Sequence, residues 1–247
     1  MKIIGVIPAR YASSRFPGKP LADICGKPMI WWVYEQCKKV AEFHQVYVAT
    51  DDERIMTTCK ELGIDVMLTA SDHVNGTERI GEVATKVDGD LYINIQGDEP
   101  LINPDSIRTL ISMFADSNVY YGSLKRKIAN QDELDSPNVV KIITDMNNRA
   151  IYLSRSPIPY VRDSKETGSH FAHIGLYGYT KEFLSTFNQL PMGQLERAES
   201  IEPLRAIEYG YSMKIQEVAA STIGVDTPED LMKVQDMIAN TLTNTRP

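Results

Sequence analysis

The feature that most constrains this chain is an alternation repeated through its first hundred residues. Residues 2–8 (KIIGVIP), 45–50 (QVYVAT), 65–69 and 90–96 (DLYINIQ) are short runs rich in apolar and β-branched side chains, with helical patterns between them. A near-continuous apolar run of that length fits a strand buried on both faces of a parallel sheet. Strands alternating with helices imply βαβ units. Residues 29–42 have helical spacing, and Asp51-Asp52-Glu53 opens a helix by placing acid at its positive end. Gly63 closes that helix, and residues 77–87 read as the next one.

The second half is less regular. Residues 139–144, 150–154 and 173–179 read as strands, with prolines and glycines at their ends and no full helical crossovers. They predict a small insertion of mixed or antiparallel strands, arm-like, at about residues 145–190. Residues 196–209 read as a helix, 213–218 as a strand and 228–240 as the closing helix. The expected architecture is α/β: one Rossmann-like domain over residues 1–247, with a mostly parallel central sheet flanked by helices.

Composition excludes several function classes. At 43% hydrophobic and 24% charged residues the chain is ordinary globular material. Its longest apolar run, Met29-Ile30-Trp31-Trp32-Val33, falls far short of the roughly 18 residues of a membrane helix. A net charge of −7 argues against a nucleic-acid partner. Cys25, Cys37 and Cys59 lack CxxC spacing and do not combine with His44, His73, His170 and His173 at zinc-ligand spacing. Nothing near Met1 resembles the apolar core of a signal peptide, so a cytoplasmic location is expected.

The most informative segment follows the first strand. Ala9, Arg10, Ser13, Ser14, Arg15 and Lys19 put cations and hydroxyls in a loop at the carboxyl end of a strand, where open α/β sheets bind ligands. Such a loop can offer backbone N–H groups and cations to a di- or triphosphate. It is not a Walker A motif: Gly26-Lys27 has Leu21 five residues before the glycine and Pro28 after the lysine. No G-x-G-x-x-G occurs. Further on, Asp98 follows a buried strand and Gly97, and Asp226 precedes Thr227-Pro228 at the last helix. Two carboxylates from distant segments can converge on Mg²⁺, which takes few carboxylates and fills its octahedron with water and phosphate. The ordinary alternatives are a strand end for Asp98 and a helix cap for Asp226.

RYASSRFPGKPL at residues 10–21 resembles the signature of the 3-deoxy-manno-octulosonate (Kdo) cytidylyltransferases, the CMP-Kdo synthetases. The resemblance continues through DHVNGTER at 72–79, QGDEPLI at 96–102, YLSRSPIP at 152–159, HIGLYGY at 173–179 and GVDTPEDL at 224–231, in family order over nearly the whole chain. Capsule-associated members look nearest. The resemblance implies a nucleotidyltransferase fold and the reaction CTP + Kdo → CMP-Kdo + diphosphate. It implies that Arg10, Arg15 and Lys19 hold the leaving phosphates and that Asp98 and Asp226 hold Mg²⁺. Gly76, Thr77 and Arg79 then lie beside the base, with Gln96 facing substrate. Arg155, His173, Tyr177 and Glu202 become the contacts to the sugar acid, and a homodimer is implied, with the insertion at or near its interface.

Structural alternatives exist for several of these: Thr77 as a helix N-cap, His173 and Tyr177 as strand packing. One position departs from the family pattern. Ile201-Glu202-Pro203-Leu204-Arg205 stands where Leu-Glu-Gln-Leu-Arg is usual, so Pro203 removes an amide near the sugar. A helix is expected to begin near Glu202. The competing functions are the same transfer to 8-amino-Kdo, another ulosonic acid or a phosphonate, a non-catalytic nucleotide-binding protein, and a glycosyltransferase. The last would carry an Asp-x-Asp motif, whereas Gly97-Asp98-Glu99-Pro100 supplies one aspartate.

Overall fold

The structure is a computed structural model that describes residues 1–12, 16–162, 170–219 and 224–244. Ser13, Ser14 and Arg15 therefore lie outside the described residues. The chain divides into two compact units, Met1–Arg108 with Thr222–Pro247, and Thr109–Ser221.

The first unit carries the predicted alternation: β1 (Ile3–Ala9), a short β2–β3 ribbon (Asp23–Ile24, Lys27–Pro28), α1 (Met29–Lys38), β4 (Gln45–Thr50), α2 (Glu53–Glu61), β5 (Val66–Leu68), α3 (Gly76–Lys86), β6 (Leu91–Asn94) and α4 (Pro104–Ser112). β1 pairs in parallel with β4 from Ile4↔Gln45 to Ala9↔Thr50, and with β6 from Ile3↔Leu91 to Val6↔Asn94. β5 joins β4 in parallel. With a neighbour on each side and helices over the faces, β1 is buried along almost its whole length, which is why it reads as IIGVIPA without alternation. The chain builds β4 and β5 on one side of β1 and returns to its other side with β6. That reversal is a topological switch point, and its crevice lies beyond the carboxyl ends of β1 and β6.

One helix start follows the expectation and another differs in detail. Asp52 caps α2 by accepting from the Arg54 N–H at 2.9 Å. For α3 the cap is Asn75, not Thr77. Asn75 Oδ1 accepts from Glu78 N at 2.9 Å, and Glu78 Oε2 reaches back to Val74 N at 2.8 Å.

The second unit contains β7 (Tyr121–Lys127), α5 (Gln131–Asp135), β8 (Lys141–Thr144), β9 (Ala150–Ser154), β10 (Phe171–Thr180), α6 (Lys181–Phe187), α7 (Gln194–Glu199), α8 (Leu204–Glu208) and β11 (Lys214–Glu217). β7 takes β10 antiparallel and β11 parallel, while β8 and β9 form an antiparallel pair. Strands of both senses are present, as the sequence predicts for this half. The stretch at 145–190 contains β9, β10 and α6, and β10 is tied to β7 over seven register pairs within a unit that starts at Thr109. Tyr121 stacks on Tyr179 at 5.0 Å and on Phe183 at 5.1 Å, forming the aromatic part of this core.

The helix expected over 196–209 is broken. Ser200 takes a left-handed conformation (φ 53°) and ends α7, and Pro203 (φ −55°, ψ −24°) stands immediately before α8. A continuous helix would need Pro203 to donate an N–H to the Glu199 carbonyl, which proline cannot do, and its ring would crowd that carbonyl. α8 thus starts two residues later than the expected Glu202.

After β11 the chain returns to the first unit and ends in α9 (Pro228–Asn244). Val225, Val234 and Ile238 bury against Ile24 and Met29, with Trp32, Leu101 and Leu231 around them. Among the described residues no helix is long and apolar enough to cross a membrane.

Candidate nucleotide site and acid-binding residues

Lys19 is set by local geometry. Gly18 is left-handed (φ 72°), Pro20 starts a 3₁₀ turn over Lys19–Leu21, and Gly18 N donates to Tyr11 O at 2.8 Å. The Tyr11 ring packs where a Gly18 Cβ would sit, and the Arg54 guanidinium lies 3.2 Å from the Tyr11 centroid. The loop is thus closed on itself and pinned to α2.

Its lysine points at two carboxylates. Lys19 Nζ lies 2.6 Å from Asp98 Oδ2 and 3.3 Å from Asp226 Oδ1. These aspartates come from segments 128 residues apart in sequence, and a backbone bond from Val225 N to Asp98 O (2.9 Å) ties the segments together. Asp98 is placed by Gly97, but not through a sharp turn: Gly97 has no positive φ. A Cβ there would lie 2.8 Å from the Pro8 carbonyl oxygen, so the glycine is needed for close approach to β1. Asp226 is not the cap of α9. Thr227 Oγ1 accepts from Asp230 N at 3.2 Å, and Asp230 Oδ2 accepts in return from Thr227 N and Asp226 N.

A cleft of about 380 Å³ opens beside this pair, lined by Ala9, Arg10, Lys19, Gly76, Gln96 and Asp98 together with Pro8, Ala12, Pro20 and Gly97. It sits at the switch point described above. Arg10 Nη2 donates to His73 O at 2.5 Å. His73 Nε2 in turn meets Glu82 Oε2 at 2.6 Å. Burial alone would raise the Glu82 pKa, but Lys86, the Ala70 amide and His73 together hold it down to about 2. His73 lies in the DHVNGTER segment, but nothing in the sequence pointed to its pairing with Glu82, and the two support Arg10 from the β5–α3 segment.

Two expected base contacts are turned inward. Thr77 is buried in the first turn of α3. Arg79 is wholly buried, bonded to Thr69 Oγ1, to Ala70 O at 3.3 Å and to Asp51 Oδ2 at 3.1 Å. Its charge stitches α3 to the ends of β4 and β5, and its side chain does not line the cleft. Gly76 does line it.

The donor set fits Mg²⁺. Among the described residues no three His, Cys, Asp or Glu converge as a metal cage. Two carboxylates already share one cation, the Lys19 ammonium, at the rim of a cleft roomy enough for phosphates and water. Magnesium is bound by one or two carboxylates completed by substrate phosphate in this way.

The second unit holds the residues expected to meet the acid. Arg155, at the end of β9, donates from Nε to Glu199 O (2.6 Å), from Nη1 to Pro137 O (2.8 Å) and from Nη2 to Ser200 O (3.2 Å). The Glu199 carbonyl is available because Pro203 leaves it without a helical donor. Glu199 also accepts from Ser154 Oγ at 2.6 Å and Arg155 N at 2.9 Å. Three fixed bonds leave part of the five-donor guanidinium for a ligand.

His173 and Tyr177 share a face, with ring centroids 5.4 Å apart. The register shift between Ile174 and Tyr177 inserts two residues, which preserves the period-two parity. Burial pulls the His173 pKa down to about 4, so the ring is neutral near pH 7. Glu202 is half-buried in the α7–α8 turn. Arg205 forms a buried two-pronged pair with Glu196 at 2.7 and 2.6 Å.

The sequence matches the family described as cytidylyltransferase over residues 4–216. A 3-deoxy-manno-octulosonate cytidylyltransferase of Solibacter usitatus is 46% identical over 94% of this chain and 93% of its own length. An 8-amino-3,8-dideoxy-manno-octulosonate cytidylyltransferase of Shewanella baltica is also 46% identical, over 97% and 99%. A solved CMP:2-keto-3-deoxy-manno-octonic acid synthetase, complexed with CTP, superposes with a TM-score of 0.93 at 44% identity, covering 98% of this chain and all of that one.

Proposed function

The chain belongs to the cytidylyltransferase family, and on that premise we propose that it catalyses CTP + Kdo → CMP-Kdo + diphosphate. The observation that carries this reading is the Lys19–Asp98–Asp226 cluster at the rim of the switch-point cleft. The anomeric 2-hydroxyl oxygen forms a bond to the α-phosphorus, the bond from that phosphorus to the β-phosphate bridging oxygen breaks in line, and the hydroxyl proton passes to solvent. Catalysis of this kind is mostly positioning and charge neutralisation. Arg10, with its guanidinium anchored on His73 O, and Lys19, with Arg15, Ser13 and Ser14 beside them in sequence, bind the β- and γ-phosphates. Gly76 brings the start of α3 against the nucleotide, and Ala9 and Gln96 line the same cleft. Thr77 and Arg79 hold α3 in place from beneath.

Asp98 and Asp226 would hold Mg²⁺, which would offset phosphate charge and lower the pKa of a nearby hydroxyl. With CTP and the metal present, Lys19 exchanges its carboxylate partners for phosphate oxygens. Arg155 supplies a fork-shaped cation for the acid's carboxylate. His173, Tyr177 and Glu202 contact its hydroxyls.

8-Amino-Kdo is the second acceptor to weigh, because Pro203 replaces the usual glutamine and one relative of equal identity is named for that sugar. The reading also includes a cytoplasmic homodimer, nearest to capsule-associated members. Met146, Ile151 and Tyr160, 99%, 51% and 88% exposed within 145–190, are the apolar residues such an interface would cover. The experiment is turnover with CTP, Mg²⁺ and, in turn, Kdo, 8-amino-Kdo and a phosphonate, reading diphosphate release and product mass. Kdo is expected to give the highest kcat/KM, and a product formed only from another acid would replace it.

A further inference from the structure

β7 and β10 change register in mid-ladder. Ile174 faces Leu124 and Tyr177 faces Ser123, so Gly175 and Leu176 have no counterpart on β7. A bulge of this kind takes backbone groups out of the ladder. At this shift Ser123, wholly buried, meets two backbone carbonyls: its Oγ lies 3.0 Å from Ile174 O and 2.9 Å from Leu176 O. The same Oγ is 3.0 Å from His173 Nε2.

A serine hydroxyl has one proton and two lone pairs, and a carbonyl oxygen only accepts. The proton therefore goes to the carbonyls. Given to Nε2 instead, it would leave the Oγ lone pairs facing two carbonyl oxygens with no hydrogen between them, in a place closed to water, where unmade bonds are costly. Nε2 must carry a hydrogen and donate it to Oγ. In a neutral imidazole the other nitrogen is then bare, since the bond made by one ring nitrogen sets the state of the other. Burial, which holds the His173 pKa near 4, keeps the ring neutral. Among the described residues no hydrogen bond engages Nδ1, and His173 as a residue is half-buried.

We propose that Ser123 is a positioning residue that locks His173 in its Nε2–H tautomer, so that Nδ1 is presented as a hydrogen-bond acceptor to a hydroxyl of the bound acid. The tautomer stands on the bulge geometry alone, and the ligand assignment rests on the function proposed above. The chemistry is selective. A hydroxyl can donate to Nδ1, whereas a carboxylate oxygen would meet a bare lone pair, so His173 reads a hydroxyl and leaves the carboxylate to Arg155.

The test is a two-bond ¹H–¹⁵N correlation spectrum of ¹⁵N-histidine-labelled protein at pH 7, with the His173 signals among the four histidines assigned by their loss in His173→Gln. The expected wild-type pattern is a single Nε2–H tautomer, and an Nδ1–H pattern overturns the proposal whether or not any variant folds. Ser123→Ala should mix the tautomers and raise the Kdo KM several-fold with the CTP KM unchanged, and Ser123→Thr, which keeps the hydroxyl, should restore both. A Ser123→Ala protein that keeps a pure Nε2–H ring, or whose Kdo and CTP KM values rise equally, overturns the positioning role. Wild-type protein that shows the Nε2–H ring and turns over no Kdo overturns the function instead and leaves the tautomer standing.

Discussion

Gly97→Ala is the substitution whose effect the structure sets most tightly. The added Cβ would stand 2.8 Å from the Pro8 carbonyl oxygen, whereas ordinary contact begins at 3.4 Å, so the two segments must part by about 0.6 Å. Neither can give cheaply. Pro8 is in β1, held by its pairing with Ala49 of β4, and the next residue after Gly97 is Asp98. The movement therefore falls on the Asp98 carboxylate, which sits 2.6 Å from Lys19 Nζ. A misplacement of about 1 Å at a reacting centre costs on the order of 100-fold in rate, so roughly 10- to 100-fold is expected here. Overpacking of this kind also costs about 1–3 kcal/mol of stability. The assay is diphosphate release at saturating CTP and Kdo, beside a thermal melt of the same sample. A folded Gly97→Ala enzyme with wild-type kcat would refute the claim that close approach to β1 places Asp98.

Three more outcomes follow from named contacts. Lys19→Ala should weaken CTP by roughly 1.5–3 kcal/mol, the worth of a charge-assisted phosphate contact, and CMP much less; equal losses in separate titrations would show that Lys19 does not address the β- and γ-phosphates. His173 has a folded pKa below its ordinary value, so its stabilisation is complete above pH 6.5 and is lost as pH falls toward 4, by up to about 3 kcal/mol; urea midpoints between pH 7 and 4.5 should fall more steeply in wild type than in His173→Gln, and parallel curves would count against it. Glu196→Ala leaves the buried Arg205 charge without its two-pronged partner, which should cost about 3–5 kcal/mol; calorimetry should show Tm falling by at least several degrees, and an unchanged Tm would mean the pair is not what joins α7 to α8.

The first unit was largely legible because its strands are buried on both faces and so read as apolar runs between helices. β4 fell where QVYVAT predicts it and α3 within a residue of expectation at each end. β7 was not legible: YGSLKRK looks like a polar surface segment, yet Lys125 is buried, with Nζ on Thr144 Oγ1 and over the Phe171 ring. The single helix expected over 196–209 failed at Ser200, where a non-glycine residue takes a left-handed conformation that composition does not announce. Pro203 was visible, but not its consequence of freeing a carbonyl for Arg155. In the site, Lys19, Asp98 and Asp226 were legible as types in suggestive places. Arg79 was legible as a cation but not as a buried one, because its partners Asp51, Thr69 and Ala70 come from other elements. Ser123 gave no signal, since its role exists only once the bulge brings Ile174 O, Leu176 O and His173 to one oxygen.

Whether Asp98 is one of two carboxylates around which CMP transfer is organised is read from diphosphate release by Asp98→Asn beside wild type, across an Mg²⁺ titration with CTP and Kdo fixed. Asp98→Asn is expected to fold, with a Tm close to wild type, and to turn over more slowly by on the order of 10²–10³ or more at every Mg²⁺ concentration, because an amide cannot supply the charge that Asp98 brings. A well-folded Asp98→Asn protein releasing diphosphate at a near-normal rate would contradict it.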